Sequence, residues 1–80
     1  MNNNNIAIAI DISKHFLDLY HSQTKKIKRF ANNQDGIKII IKELSLIKDN
    51  IFSIILEPSG GYEKMILAAL FKYQFPTSLV

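Results

Sequence analysis

The segment IAIAIDIS, from Ile6 to Ser13, constrains the fold more than any other stretch of the chain. Ile6, Ile8, Ile10 and Ile12 alternate with Ala7, Ala9 and Asp11, and a period of two belongs to a β-strand. Both faces stay apolar until Asp11, the pattern of a central strand covered on both sides. The two alanines leave room for something packed close to the sheet. Such a strand needs neighbours at both edges.

The chain supplies them in order. KHFLDLYHS predicts a second strand, with His15, Leu17, Leu19 and His21 on one face and Phe16, Asp18 and Tyr20 on the other. Polar residues from Ser22 to Lys26 predict a turn, and KIKRFAN a shorter third strand. Connections this short make the three an antiparallel meander. Asn33 has the chemistry of a helix N-cap, and Asp35 falls in the first turn, where the helix dipole favours negative charge. Ile37, Ile40, Ile41, Leu44 and Ile47 then recur at helical spacing, and Gly36 costs little so near the start. NIFSIILE predicts a fourth strand. GYEKMILAALFKYQ predicts a second helix whose inner face is Tyr62, Met65, Ile66, Ala69, Leu70 and Tyr73. PTSLV begins a fifth strand. The order β-β-β-α-β-α-β, with right-handed crossovers, sets strand four parallel to strand one in a mixed sheet of order 3-2-1-4-5. That is the α/β arrangement of a ribonuclease H-like domain. Residues 1–5 are expected to be a disordered tail and residues 6–80 the domain, read as the front of something longer.

In this topology Asp11 and Glu57 both stand at the carboxyl ends of neighbouring parallel strands, where ligands collect in open α/β sheets. Two carboxylates held close repel unless a cation lies between them, and hard oxygen ligands suit Mg²⁺ or Mn²⁺. Pro58 pushes Glu57 into extended backbone and so fixes its direction. A plainer reading stands beside this one. An acid at a strand end is often only solvated, and Glu57 also lies near the positive end of the following helix. Asp18 and Glu63 are more remote candidates for the same cluster.

Other features carry less. Ser59, Gly60 and Gly61 offer backbone N–H groups at a helix start, but neither phosphate-loop pattern is present, and a tight turn in which Ser59 or Gly60 caps the helix is the simpler reading. Ser59 lacks the surroundings of a catalytic nucleophile. His15 and His21 lie too far apart to chelate. Lys25, Lys26, Lys28 and Arg29 cluster in the second hairpin, where they can meet a nucleic-acid backbone or simply be solvated. The net charge of +3 permits a polyanionic partner without demanding one. With no cysteine, disulfides and thiolate metal sites are excluded. No apolar run is long enough to span a bilayer, and MNNNN does not resemble a secretory signal. The expectation is a soluble cytoplasmic protein, its Ile, Lys and Asn usage that of an AT-rich bacterial genome.

Several segments together resemble a known family. IAIDISKHFLD is similar to the opening strand and hairpin of transposases of the insertion-sequence-110 family, relatives of the Piv and MooV DNA invertases. FANNQDGIKIIIKEL resembles the segment leading into that family's first helix. ILEPSGGYEKMILAAL resembles its E-x-[ST]-G-G-Y-E stretch, and FPTSLV the strand after it. The resemblance implies a RuvC-like (ribonuclease H-like) catalytic domain with a DEDD acid tetrad binding Mg²⁺. Asp11 matches the first acid and Glu57 the second, while the third and fourth would lie beyond Val80. It further implies site-specific DNA recombination, a structured guide RNA, assembly as multimers, and little or no catalysis by this chain alone.

Two other readings are compatible with the order of elements. The front half of an actin-like or sugar-kinase ATPase shares it, but that phosphate loop needs glycine, where DISK has Ile12 and Ser13. A non-catalytic remnant that binds nucleic acid or a partner chain is the third.

Overall fold

The computed structural model describes residues 5–58 and 60–80. Most of the expected tail, residues 1–4, and the cap reading of Ser59 lie outside them. The elements are β1 (Ile6–Ile12), β2 (Phe16–His21), β3 (Lys26–Ala31), α1 (Gln34–Ser45), a single 3₁₀ turn (Lys48–Asn50), β4 (Ile51–Glu57), α2 (Lys64–Lys72) and β5 (Thr77–Leu79). Among the described residues they form one mixed sheet of order β3-β2-β1-β4-β5 with two α-helices, as the connection lengths require. β1 pairs antiparallel with β2 and parallel with β4.

One sheet face makes the core. Ile8, Ile10, Ile12, Leu17, Ile54 and Leu56 are fully buried there, beneath Ile37, Ile40 and Leu44 of α1 and Ile66 and Leu70 of α2. Each such side chain, fully buried, contributes about 1.5–3 kcal/mol. The opposite face carries Ala7, Ala9 and Ile55, half-buried, with Tyr20 and Ile27 exposed. The double coverage expected for β1 is therefore absent among the described residues, because both helices lie on the same side.

Ile51 and Ile54 are three apart, yet both are buried, which strict alternation forbids. A register shift resolves the conflict: Ile6 faces Ile51, Ala7 faces Ser53, and Phe52 is the extra residue, pushed out to 68% exposure.

Asn33 caps α1 as expected, its side chain accepting from the Gly36 N–H at 2.8 Å. Gly36 has a second role. A Cβ at this position would collide with the Ala31 carbonyl oxygen, so only glycine lets the helix start this close to the end of β3.

The second helix is shorter than predicted and rotated. Gly60 and Gly61, at φ of 73° and 81°, form the turn before it. Glu63 is the N-cap and makes no side-chain capping bond, so Gly60 is a turn residue and not the cap. Ile66, Leu67, Ala69 and Leu70 face inward, whereas Tyr62, Met65 and Tyr73 are exposed. MILAALF is apolar nearly all round, so its periodicity does not select a face. The helix ends in a Schellman motif: Phe75 N–H donates to Leu70 O at 2.9 Å and Gln74 N–H to Phe71 O at 3.0 Å. Gln74 takes the left-handed position, φ 61°, where glycine is usual.

Candidate active site

The parallel pairing of β1 with β4 puts Asp11 directly beside Glu57. The antiparallel pairing of β1 with β2 puts Asp18 directly on the other side of Asp11. Arg29 of β3 stands opposite Asp18. Four strands thus contribute one transverse row, Arg29–Asp18–Asp11–Glu57, with neighbours about 4.8 Å apart in backbone spacing. All four belong to the sheet face away from the helices, since they share parity with Ala9 and Tyr20.

The row borders a shallow depression of about 200 Å³, lined by Ala9, Asp11, Asp18, Tyr20, Ile27 and Glu57. Ala9 explains the recess: a methyl group beside Tyr20 and Ile55 leaves the floor low. Asp11 and Glu57 are exposed to solvent at its edge.

Asp18 is already engaged. Arg29 Nε donates to Oδ1 at 2.8 Å and Nη2 to Oδ2 at 3.0 Å, a two-pronged pair, while the guanidinium lies 4.3 Å from the centre of the Phe16 ring. The hydrogen bonds from Arg29 hold the Asp18 carboxyl below the usual carboxylate range; desolvation opposes them and the guanidinium charge adds to them. Asp11 therefore faces one neutralised carboxylate and, in Glu57, one with no ion-pair partner among the described residues. Among the described residues no group of three or more His, Asp or Glu side chains converges as a metal-binding set. Asp11 and Glu57 remain a pair of hard oxygen donors, which by ligand chemistry suits a hydrated Mg²⁺ or Mn²⁺.

The loops on either side are tied by a residue that the sequence did not single out. Asn32 Nδ2 donates to Ser13 O at 2.9 Å and to Tyr62 O at 3.2 Å. It joins the turn after Asp11 to the turn after Glu57. No spacing rule points to it, since its partners are backbone carbonyls 19 and 30 residues away. Glu63 does not line the depression; its Oε1 is buried and has no hydrogen-bond partner among the described residues.

The basic hairpin does not present one patch. Alternation along β3 sends Lys26 and Lys28 to the helix side and Arg29 to the acid side. Lys28 donates to Glu43 of α1 at 2.8 Å and lies over the Phe30 ring, and Arg29 is held by Asp18. Lys25 occupies the turn at φ 59°. His21 Nδ1 accepts from the Gln23 and Thr24 N–H groups at 3.2 and 3.3 Å, so it closes the hairpin turn. His15 is exposed.

No helix among the described residues is long and apolar enough to cross a membrane. Comparison with models of known protein families finds none that matches this chain, and comparison with curated proteins finds no match either.

Proposed function

We propose that the chain is the N-terminal part of a ribonuclease H-like, RuvC-type catalytic domain of a DNA transposase of the insertion-sequence-110 type. Asp11 and Glu57 are its first two metal-holding acids. The observation that carries the reading is the register pair Asp11–Glu57, side by side at the carboxyl ends of two parallel central strands. The strand order 3-2-1-4-5 supports the same reading, as does the resemblance of the segments around both acids.

In this reading the two carboxylates hold one Mg²⁺ or Mn²⁺, whose supplied chemistry is charge neutralisation and polarisation of phosphate oxygens. The chain's own contribution is orientation. β-pairing fixes both acids in one row, Pro58 holds Glu57 in the extended region, and Asn32 ties the flanking turns together. DNA is the substrate, further acids complete the site in the intact protein, and assembly with a guide RNA and other copies belongs to that protein as well.

Titrating Mn²⁺ into the isotopically labelled chain tests the site directly. Paramagnetic broadening should centre on the amides around Asp11 and Glu57, with weak affinity, because two carboxylates leave most of the coordination to water. Asp11→Asn and Glu57→Gln should each abolish the local broadening. Broadening centred elsewhere, or unchanged in both variants, would remove the assignment. In the intact protein the same substitutions should abolish strand exchange, and normal recombination by either variant would end the functional reading.

A further inference from the structure

The groove between α1 and α2, on the outer side of the helical layer, is a second site of different chemistry. It has a volume of about 500 Å³. Its α1 wall is a stripe at i, i+3, i+4 and i+7: Lys38, Ile41, Lys42 and Ser45. From α2 come Met65 and Lys72, and from its C-cap Tyr73; Met65 and Tyr73 are both 46% exposed. The floor is thus apolar and the rim carries three lysines. Among the described residues no carboxylate lines the groove and none of the three lysines is ion-paired.

Each class of occupant makes its own demand on such a surface. A nucleic-acid backbone needs the lysines but gains nothing from Ile41 and Met65 beneath them. A second copy presenting the same face sets lysine against lysine. An amphipathic helix with acidic flanks satisfies both halves: its apolar ridge fills the groove between two helices, and its carboxylates reach the rim. The length also fits, since α1 supplies a wall of 12 residues, about 18 Å, and α2 one of 9 residues, about 13.5 Å, which together suit two to three turns of a partner helix. We propose that the α1–α2 groove docks an acidic amphipathic α-helix of a partner chain.

This surface is on the opposite side of the sheet from Asp11 and Glu57, so its test is independent of the catalytic reading. Fluorescence anisotropy with the full chain would use a labelled peptide of about three turns, with leucines at i, i+3, i+4 and i+7 and glutamates on both flanks. Saturable binding is expected. A peptide of the same composition in permuted order, and the variant K38E/K42E/K72E, should each weaken it by about ten-fold or more. Met65→Gln, which leaves every lysine in place, should weaken it too. On the triple variant a peptide with lysine flanks should recover binding, an outcome that a merely unfolded variant cannot produce.

Several results would overturn the proposal. These are no saturable binding, equal affinity for the permuted peptide, or an unchanged affinity in Met65→Gln. Two others reassign the groove and equally overturn it. One is a DNA duplex that binds more tightly than the peptide and is lost in the triple variant. The other is self-association of the chain that the triple variant changes.

Discussion

At the scale of single residues, the row Arg29–Asp18–Asp11–Glu57 turns on one competition. Arg29 is a resident cation that neutralises Asp18, the acid nearest Asp11 on the β2 side. Replacing it by Gln frees that carboxylate, so Arg29→Gln should tighten Mn²⁺ binding at neutral pH by a few-fold, read in the same titration. The variant also has a signature in acid. A carboxyl whose folded pKa is depressed stabilises the fold above its unfolded value of about 3.9, and that stability is lost as pH falls through the folded value. Urea denaturation at neutral pH and near pH 2.5 should therefore show a smaller acid loss in Arg29→Gln than in the natural chain. An equal loss in both would mean that the pair adds nothing to folding. Asp18 was legible as an acid on the correct face of β2. Its partnership with Arg29 was not, because pairing across strands depends on register, which face alternation alone does not specify.

At the scale of elements, two backbone positions separate local preference from tertiary demand. Alanine is the better helix former, so local propensity favours Gly36→Ala by up to about 1 kcal/mol. The Ala31 backbone carbonyl, with which the added Cβ would collide, opposes it and cannot rotate aside as a side chain can. The net effect should be a destabilisation of about 1–3 kcal/mol in chemical denaturation. Gln74 is the opposite case. It holds a left-handed conformation with no steric reason to be other than glycine, so Gln74→Gly should stabilise by about 0.5–1 kcal/mol. A stabilising Gly36→Ala would show that α1 can draw back from β3. The Asn33 cap, by contrast, needs only its own next three residues, and it forms where the sequence predicts it.

At the scale of the whole molecule, the sheet separates an acidic row from a lysine-rimmed groove. Asp11, Asp18 and Glu57 share one face with Arg29, while Lys38, Lys42 and Lys72 of α1 and α2 lie on the other side of the core, where Asp35 and Glu43 of α1 also are. If the hairpin touches DNA, its salt dependence should report this arrangement. Lys25 and Lys26 have no carboxylate partner among the described residues, whereas Lys28 is held by Glu43. Neutralising Lys25 and Lys26 together should flatten the slope of log affinity against log salt by up to about 1.8. Neutralising Lys28 should change it less. A slope unaffected by all three would make the cluster ordinary solvated surface.

The sequence by itself determined the type and order of the elements, the meander, the parallel placement of β4 beside β1, and the meeting of Asp11 with Glu57. These follow from periodicity and connection length, which are local properties of a chain. Only the tertiary structure decided the rest. The bulge at Phe52 reconciles two buried isoleucines of opposite parity. The rotation of α2 left Met65 and Tyr73 outside, and Asn32 reached across 30 residues to Tyr62. Each depends on how distant segments pack. An all-round apolar helix and a polar side chain seeking backbone carbonyls have no preferred partner until the core around them has closed.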